Sequence, residues 1–475
     1  NPFTNKSKLN CVFVKRTALL SNTEDVFEYH RREGALKRLI PPWSSIKVIK
    51  SDNDIKNGSV TILKLKYGPI GIKWIAQHLG YMQNRQFQDR MIKGPFKNWL
   101  HTHSFIPDEF SRCIMEDRID YTPPLGTIGP KYINNAVQTN LHQLFHYRHR
   151  ILNNDMRLWK LVGTGRRKRI LIMGSNGLIG SSLIPLLQTV GEHQVIRMVR
   201  HSSSNTHSDL QVVKWDPEKD KINLDDLEGY DVIIHLGGEN IFGRWSDSKK
   251  QRIVESRVKT MRLLCNSIIN LTNPPSTLIC ASAVGFYGNR GDEVLTEEST
   301  LGSGFLSDVC QKWEESTEIA KSIGVRVINT RFGMVLTPRG GILQKLVKPS
   351  IFKIGLRMGK ENQYISWVSI EDVIGSILYA INNSAVKGPI NVVSPNPITM
   401  LNFSEILSRV LENKIMIPLN KRILKLVFGE FADNIVLSSS FVLPKKLSYS
   451  GYPFMNTDLK DTLRFLLGRQ IIEED

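Results

Sequence analysis

The sequence predicts an α/β protein in two parts. An N-terminal α+β module, in which an antiparallel sheet grips a long helix, precedes a doubly wound parallel-sheet domain with a small C-terminal subdomain. Three observations predict this. Residues 44–121 hold six runs of partly alternating apolar and polar residues, bounded by Gly, Pro, Asp or Asn, followed by a helical stripe. An apolar strand at Ile170–Met173 runs into Gly174-x-x-Gly177-x-x-Gly180 and then a helix. Strands and helices alternate after that, which implies a parallel sheet. At 475 residues the chain is also too long for one ordinary domain. The stretch LVGTGRRKR (161–169) mixes glycines with a basic cluster. The expected domains are therefore 1–160 and 169–475, joined by a linker at 161–168.

The first module begins with a strand, LNCVFVKRTALL (9–20). In SNTEDVFEYHRR, Ser21 or Asn22 is the expected N-cap, with acids in the first turn. Pro41-Pro42 stops the next short helix. The six strand runs start at Ser44, Ser59, Ile72, Arg85, Asn98 and Ser111. A long helix closes the module, expected from Ile133 to Leu152, with Val137, Leu141, Leu144, Phe145 and Leu152 as its apolar stripe. Such a sheet and helix enclose an apolar cavity. Trp99, His101, His103 and Phe105 share one strand face by the period of two. His142 and His146 are one helical turn apart, with His149 nearby, but Gln143 stands where a zinc-protease helix needs Glu. No carboxylate is obviously paired with these histidines, so they are read as structural or pocket-lining, and no metal site is expected.

The second module is more specific. In a strand–turn–helix context, Gly174 permits the tight turn, Gly177 lets the backbone approach a pyrophosphate, and Gly180 lets helix and strand pack closely. Asn176, Leu178 and Ile179 complete a loop whose helix N-terminus would bind phosphate. This is the Rossmann arrangement for a dinucleotide. An NAD site wants Asp or Glu near the end of the next strand. QVIRMVR (194–200) ends in Arg200, followed by Ser202–Ser204 and with Arg197 inside it. A cation with hydroxyls suits a 2′-phosphate, so NADP(H) is favoured and NAD(H) is the alternative. Asp216 follows the third strand, within reach of an adenine, and DVIIHLGGENI places His235, Gly237 and Gly238 at the end of the fourth. STLICASAVGFYG ends in Ser282 and Tyr287, and VRVINTRFGMVL follows.

Two families are resembled. ALKRLIPPW (35–43), GPFKNWLHTHSF (94–105), IDYTPPLG (119–126) and LFHYRHRIL (144–152) resemble the START-like superfamily (SRPBCC, polyketide cyclase/Bet v 1-like), in the form fused to a reductase-like module. That resemblance implies a helix-grip domain that binds a hydrophobic small molecule. HLGGENI (235–241), SRVKTMRLL after Arg244-Trp245, SAVGFYG (282–288), LSDVCQKWE (306–314), TRFGMVL (330–336), WVSIEDV (367–373) and LPKKLSYSGYPF (443–454) resemble the atypical extended short-chain dehydrogenase/reductases, the NAD-dependent epimerase/dehydratase-like branch. The usual chemistry there is hydride transfer, with a Tyr acid/base, a Lys four residues later and a Ser that polarises a carbonyl. Ser282 fits the serine. The resemblance puts Leu306 and Cys310 at the Tyr and Lys positions, and neither can transfer the proton or supply the charge. Lys312 points elsewhere on the helix. Tyr287 is the one nearby phenol, a replacement acid with Ser282 or else a substrate-lining or packing side chain. Arg244 and Trp245 are candidate substrate contacts, and Arg331 and Asp372 are read as structural polar groups.

Composition narrows the alternatives. There is no apolar run of 18 residues, and NPFTNKSKLN lacks a signal pattern. The five cysteines show no CxxC spacing, which suits a reducing cytoplasm. The net charge is +18, with 25 Lys and Arg against 13 Asp and Glu among residues 1–165. No zinc finger or aromatic RNA motif accompanies it, which argues against nucleic acid. The expected protein is an NADP(H)-binding oxidoreductase or epimerase-like enzyme for a small molecule, with an apolar-ligand module attached. A non-catalytic nucleotide sensor or ligand carrier is the alternative, and a basic scaffold for membrane or nucleic acid comes third.

Overall fold

A computed structural model describes residues 11–67, 70–123, 130–163, 165–200, 210–358 and 362–471. The chain divides into two compact units: Asn1–Leu161 with Gln188–Val190 and Leu467–Asp475, and Val162–Leu187 with Gly191–Leu466.

The first unit starts with β1 (Cys11–Ala18), α1 (Thr23–Arg31) and the single turn α2 (Ala35–Arg38). Asn22 caps α1 by accepting from Asp25 N, and Glu24 and Asp25 favour the positive end of its dipole. Six strands follow: β2 (Ile46–Ser51), β3 (Val60–Tyr67), β4 (Ile70–Met82), β5 (Gln86–Lys93), β6 (Asn98–Pro107) and β7 (Cys113–Thr122). They form one antiparallel sheet in the order β1-β7-β6-β5-β4-β3-β2. Register shifts in the β2–β3 and β4–β5 pairs add the bend that curls it. On β6 burial alternates, with Trp99, His101, His103 and Phe105 turned inward.

The closing helix, α3 (Pro130–Val162), runs ten residues past the expected end at Leu152. The polar run Asn153-Asn154-Asp155 interrupts the apolar stripe without ending the helix. Asp155 is buried, and its carboxylate accepts from Arg38 Nε and Nη2 at 2.9 and 2.8 Å and from Tyr29 OH at 2.8 Å. Met156 and Leu158 are buried beyond it. The helix stops at Gly163, whose φ of +70° suits a C-terminal glycine. Leu141 and Phe145 of α3 pack against Phe13, Trp99, Ile119 and Tyr121 of the sheet. Between helix and sheet lies a cavity of about 480 Å³, with Trp74, Phe87, Trp99, Leu141 and Phe145 among its walls.

The second unit is built on a seven-stranded parallel sheet. Its strands are β8 (Arg169–Met173), β9 (Gln194–Arg200), β10 (Val212–Trp215), β11 (Val232–His235), β12 (Thr277–Ala283), Arg326–Phe332 and Gly388–Val392. The order is β10-β9-β8-β11-β12, then Arg326–Phe332 and Gly388–Val392. Strand order reverses between β8 and β11, and a crevice opens at such a switch point. The last strand lies within residues 340–470, the stretch expected from the sequence to form the C-terminal subdomain. That stretch also holds a pair of parallel strands, Ile354–Met358 and Ile415–Leu419, with the helix Met400–Val410 packed on the first of them. Among the described residues no helix is long and apolar enough to cross a membrane.

Candidate functional site

The crevice is lined by glycines whose surroundings forbid a side chain. Gly174 turns the chain at φ +79°, and a Cβ on it would lie 2.6 Å from the Leu236 carbonyl carbon. Both conformation and space therefore demand glycine. Gly177 N donates to Gly174 O at 3.0 Å and closes the turn. The helix α4 (Leu178–Thr189) starts there, and a Cβ on Gly180 would meet Gly174 O at 2.5 Å. Asn176, Gly177 and Leu178 are exposed and Ile179 partly so. The first-turn N–H groups of a helix have no acceptor within it, so this tip is an anion site by construction. Opposite it, beyond β11, a Cβ on Gly238 would come 3.0 Å from Arg257 Cζ. His235 is buried, its Nε2 lies 3.4 Å from Thr260 Oγ1, and burial pushes its pKa down to about 4.

The expected 2′-phosphate residues divide. Arg197 is buried under the loop, donating from Nε to Ser175 Oγ at 3.0 Å and from Nη2 to Asn176 Oδ1. It braces the loop. Arg200 is exposed at the end of β9, and Ser202–Ser204 lie outside the described residues. Asp216 is engaged in its own turn, accepting from Glu218 N and Lys219 N at 3.2 and 3.3 Å.

A buried polar chain runs across the neighbouring strand ends. Ser282 Oγ donates to Glu314 Oε1 at 2.7 Å. Arg331 forks onto both Glu314 oxygens at 2.9 and 2.8 Å and donates to Tyr287 OH at 2.9 Å. Tyr287 OH in turn donates to Asn391 Oδ1 at 2.7 Å. Tyr287 is 0% exposed, and burial raises its pKa although Arg331 opposes the rise. An acid/base tyrosine needs a lowered pKa and a face toward substrate. The replacement-acid reading of Tyr287 is thus corrected: it is a core residue. The helix α6 (Phe305–Glu315), with α5 (Asp247–Ile268) before it in the chain, carries Leu306 and Cys310. Burial pushes the Cys310 thiol up to about 11, and Lys312 is exposed.

Trp245 also departs from expectation. It is buried, donates from Nε1 to Ile241 O at 2.7 Å, and packs on Phe305 and Phe431, so its role is structural. Arg244 is exposed beside Gly429. Asp372 holds the chain at Met455 and Asn456 by accepting from both backbone N–H groups at 2.8 and 3.0 Å, a structural polar group as read. Two residues were missed. Arg257 of α5 lies over the Trp313 ring at 5.1 Å and donates to Glu239 O at 3.1 Å. Gly340 admits the Leu178 side chain, whose Cδ2 would lie 2.8 Å from an added Cβ. The only sequence signals were a quoted motif for the first and a Gly-Gly pair for the second.

In the first unit the histidines do have carboxylate partners, which corrects the sequence reading. Cross-strand register sets Asp89 of β5 opposite His101 and Asp117 of β7 opposite His103. His101 Nε2 lies 2.9 Å from Asp117 Oδ1 and its Nδ1 lies 3.1 Å from Asp89 Oδ2. His149 Nε2 reaches Asp117 Oδ2 at 2.5 Å, and its Nδ1 is 2.6 Å from Thr17 Oγ1. Burial alone would raise Asp117, but the imidazoles of His103, His101 and His149 hold it well below the carboxylate range. Burial would lower His101, and Asp89 and Asp117 outweigh it, raising the ring to about 9.

Comparison with known proteins follows this geometry. The NAD dependent epimerase/dehydratase family matches residues 170–393, and a domain of unknown function matches residues 421–466. An epimerase family protein of Mycobacterium leprae is 33% identical over 310 residues, 65% of this chain and 99% of that protein. The crystal structure of the nucleoside-diphosphate sugar epimerase from Corynebacterium glutamicum is 31% identical with a TM-score of 0.78, covering 96% of this chain and 90% of that one. Human epimerase family protein SDR39U1 (isoform 2) with NADPH is 26% identical with a TM-score of 0.58, covering 64% of this chain and 100% of that one. With 99% of the Mycobacterium protein covered at 33% identity, and the glycine-built crevice in place, this chain belongs to the NAD-dependent epimerase/dehydratase family.

Proposed function

We propose that the second unit binds NADP(H) at the crevice between β8 and β11 and acts on a small molecule as an oxidoreductase or epimerase-like enzyme. The first unit, START-like in its grip of sheet on helix, holds an apolar ligand in its cavity. The observation that carries the cofactor reading is the loop at Gly174–Gly180, where backbone fills every place a Cβ would occupy at Gly174 and Gly180 and leaves the tip bare. Arg200 stands exposed where an NAD site carries an acid, which supports the 2′-phosphate. The NADPH in the human relative supports the same choice, and the Corynebacterium protein's description as a nucleoside-diphosphate sugar epimerase supports an epimerase-type substrate.

A bound nicotinamide supplies or accepts hydride. Ser282 stands at the end of β12, held by Glu314 and Arg331, and would orient a substrate oxygen by turning its hydroxyl from Glu314 to that oxygen. Arg257, beside Gly238, supplies the positive charge that Cys310 lacks. One observation favours the alternative of a nucleotide-sensing or ligand-carrying protein. The Ser282 proton is committed to Glu314 and the Tyr287 hydroxyl to Asn391, so neither is aimed at a substrate.

The test is binding first and turnover second. NADPH should bind at least tenfold tighter than NADH, with the difference lost in Arg200→Ala. Equal affinities would overturn the NADP(H) choice. A panel of nucleotide sugars and carbonyl compounds should yield turnover that Ser282→Ala abolishes. Binding with no turnover on the whole panel decides for the carrier.

A further inference from the structure

The Asp89, His101 and His103 cluster in the first unit is more than an ion pair between strands. The two histidines are spaced i, i+2 on β6, so both face inward, and each ring has two nitrogens with different tasks. One nitrogen of each is turned toward Asp117: His101 Nε2 at 2.9 Å and His103 Nδ1 at 2.6 Å from the same oxygen, Oδ1. The other nitrogen of each is turned toward Asp89: His101 Nδ1 at 3.1 Å and His103 Nε2 at 3.5 Å from Oδ2. Three donor atoms, two imidazole nitrogens and one carboxylate oxygen, therefore converge within 4.8 Å of one another. Bonds of about 2.0–2.1 Å to a first-row ion put neighbouring ligand atoms about 2.9 Å apart in an octahedron and about 3.3 Å apart in a tetrahedron. The two separations from Asp89 lie close to those edges.

Asp117 supplies what such a ligand set needs behind it. Metal-bound histidines commonly donate their far N–H to a carboxylate, which fixes the tautomer and aims the ring. Here one buried carboxylate faces both rings, and His149, itself paired with Thr17, holds that carboxylate through its other oxygen. His103 Nδ1 faces Asp117 Oδ1 at 2.6 Å yet is a buried nitrogen without a hydrogen-bond partner. The ligand side is not closed by protein. Asp89, His101 and His103 all line the 480 Å³ cavity, whose other walls are largely aromatic and aliphatic.

We propose that Asp89, His101 and His103 form a binding site for a divalent first-row transition ion, with Asp117 as the carboxylate that holds the His101 imidazole and faces that of His103. Two nitrogens and one oxygen with open positions suit Zn²⁺, Co²⁺ or Fe²⁺ over Mg²⁺ or Ca²⁺. The open positions face an apolar cavity, so the ligand class is an apolar molecule carrying one oxygen donor.

The experiment uses the full chain, stripped with chelator and titrated with Co²⁺ while the visible spectrum is recorded, then competed with Zn²⁺. One equivalent of Co²⁺ should develop ligand-field bands distinct from those of the hydrated ion, and Zn²⁺ should abolish them. Asp89→Asn and His103→Ala should each weaken Co²⁺ binding at least 100-fold, and Asp117→Asn about 10- to 100-fold. His78→Ala, a change in the same cavity outside the ligand set, should leave the bands intact. Circular dichroism of the Asp89→Asn protein separates lost ligation from lost fold. Bands absent from the wild-type protein, or bands that survive in folded Asp89→Asn, overturn the site and leave an ion-pair cluster.

Discussion

Replacing Glu314 tests whether the polar chain across the strand ends is a working support. The Arg331 side chain is 4% exposed and that of Glu314 11%, so solvent does little to screen them. Glu314→Ala strands a buried guanidinium that now makes two short hydrogen bonds to the carboxylate. Breaking one side of a buried pair costs about 3–5 kcal/mol, and the orphaned Ser282 hydroxyl adds about 1 kcal/mol. Glu314→Gln keeps the shape and one acceptor, so its cost falls to about 2 kcal/mol. Removing both charges as Glu314→Leu with Arg331→Met should recover most of the loss, because no buried charge is left unpaired. Urea unfolding of the wild type, Glu314→Leu, Arg331→Met and the double variant, followed by circular dichroism and by Trp fluorescence with Trp313 one residue from the change, gives the four corners of the cycle. A Glu314→Ala cost below about 1 kcal/mol, or a double variant whose loss equals the sum of the singles, refutes the reasoning.

Gly180→Ala forces α4 away from Gly174 O, and NADPH affinity should fall at least tenfold in a protein that still folds, read by fluorescence titration. Gly174→Ala should be worse, since it adds a positive φ to a Cβ clash; it is checked by the same titration beside a melting curve. His235 folds with a pKa near 4 against about 6.5 unfolded, so its contribution is full above pH 6.5 and is lost as pH falls toward 4. Between pH 6.5 and 5 that amounts to about 2 kcal/mol, measurable as a falling urea midpoint whose slope His235→Gln reduces. His193, lowered to about 4 by burial, acts in the same direction, and His193→Gln should flatten the remainder.

What the sequence made legible is local. The glycine loop could be read because strand, turn and helix are contiguous: the positive φ of Gly174 belongs to the turn and the demand on Gly180 comes from Gly174 and Ser175, whereas the space at Gly174 is closed by Leu236 and Gly237, far along the chain. The β6 face could be read because its period of two is internal to one strand. The partners of His101 and His103 could not. Asp89 and Asp117 are 12 and 14 residues away, and only the antiparallel register brings them opposite. The same holds for Tyr287. Its position after β12 suggested a substrate face, but its two hydrogen-bond partners come from Arg331 and Asn391, on strands placed by the sheet order. The end of α3 was missed because Asp155 reads as a surface residue until Arg38 and Tyr29 are known to meet it.

The chain Ser282–Glu314–Arg331–Tyr287–Asn391 carries one more consequence. Each member answers the others' bonding needs, so substitutions there are expected to be tolerated only in company. A descendant of this chain can change what touches its substrate far more freely than it can change Glu314. The helix FLSDVCQKWEE is held by Glu314 in its last turn and by buried Val309, Cys310 and Trp313 along its inner face.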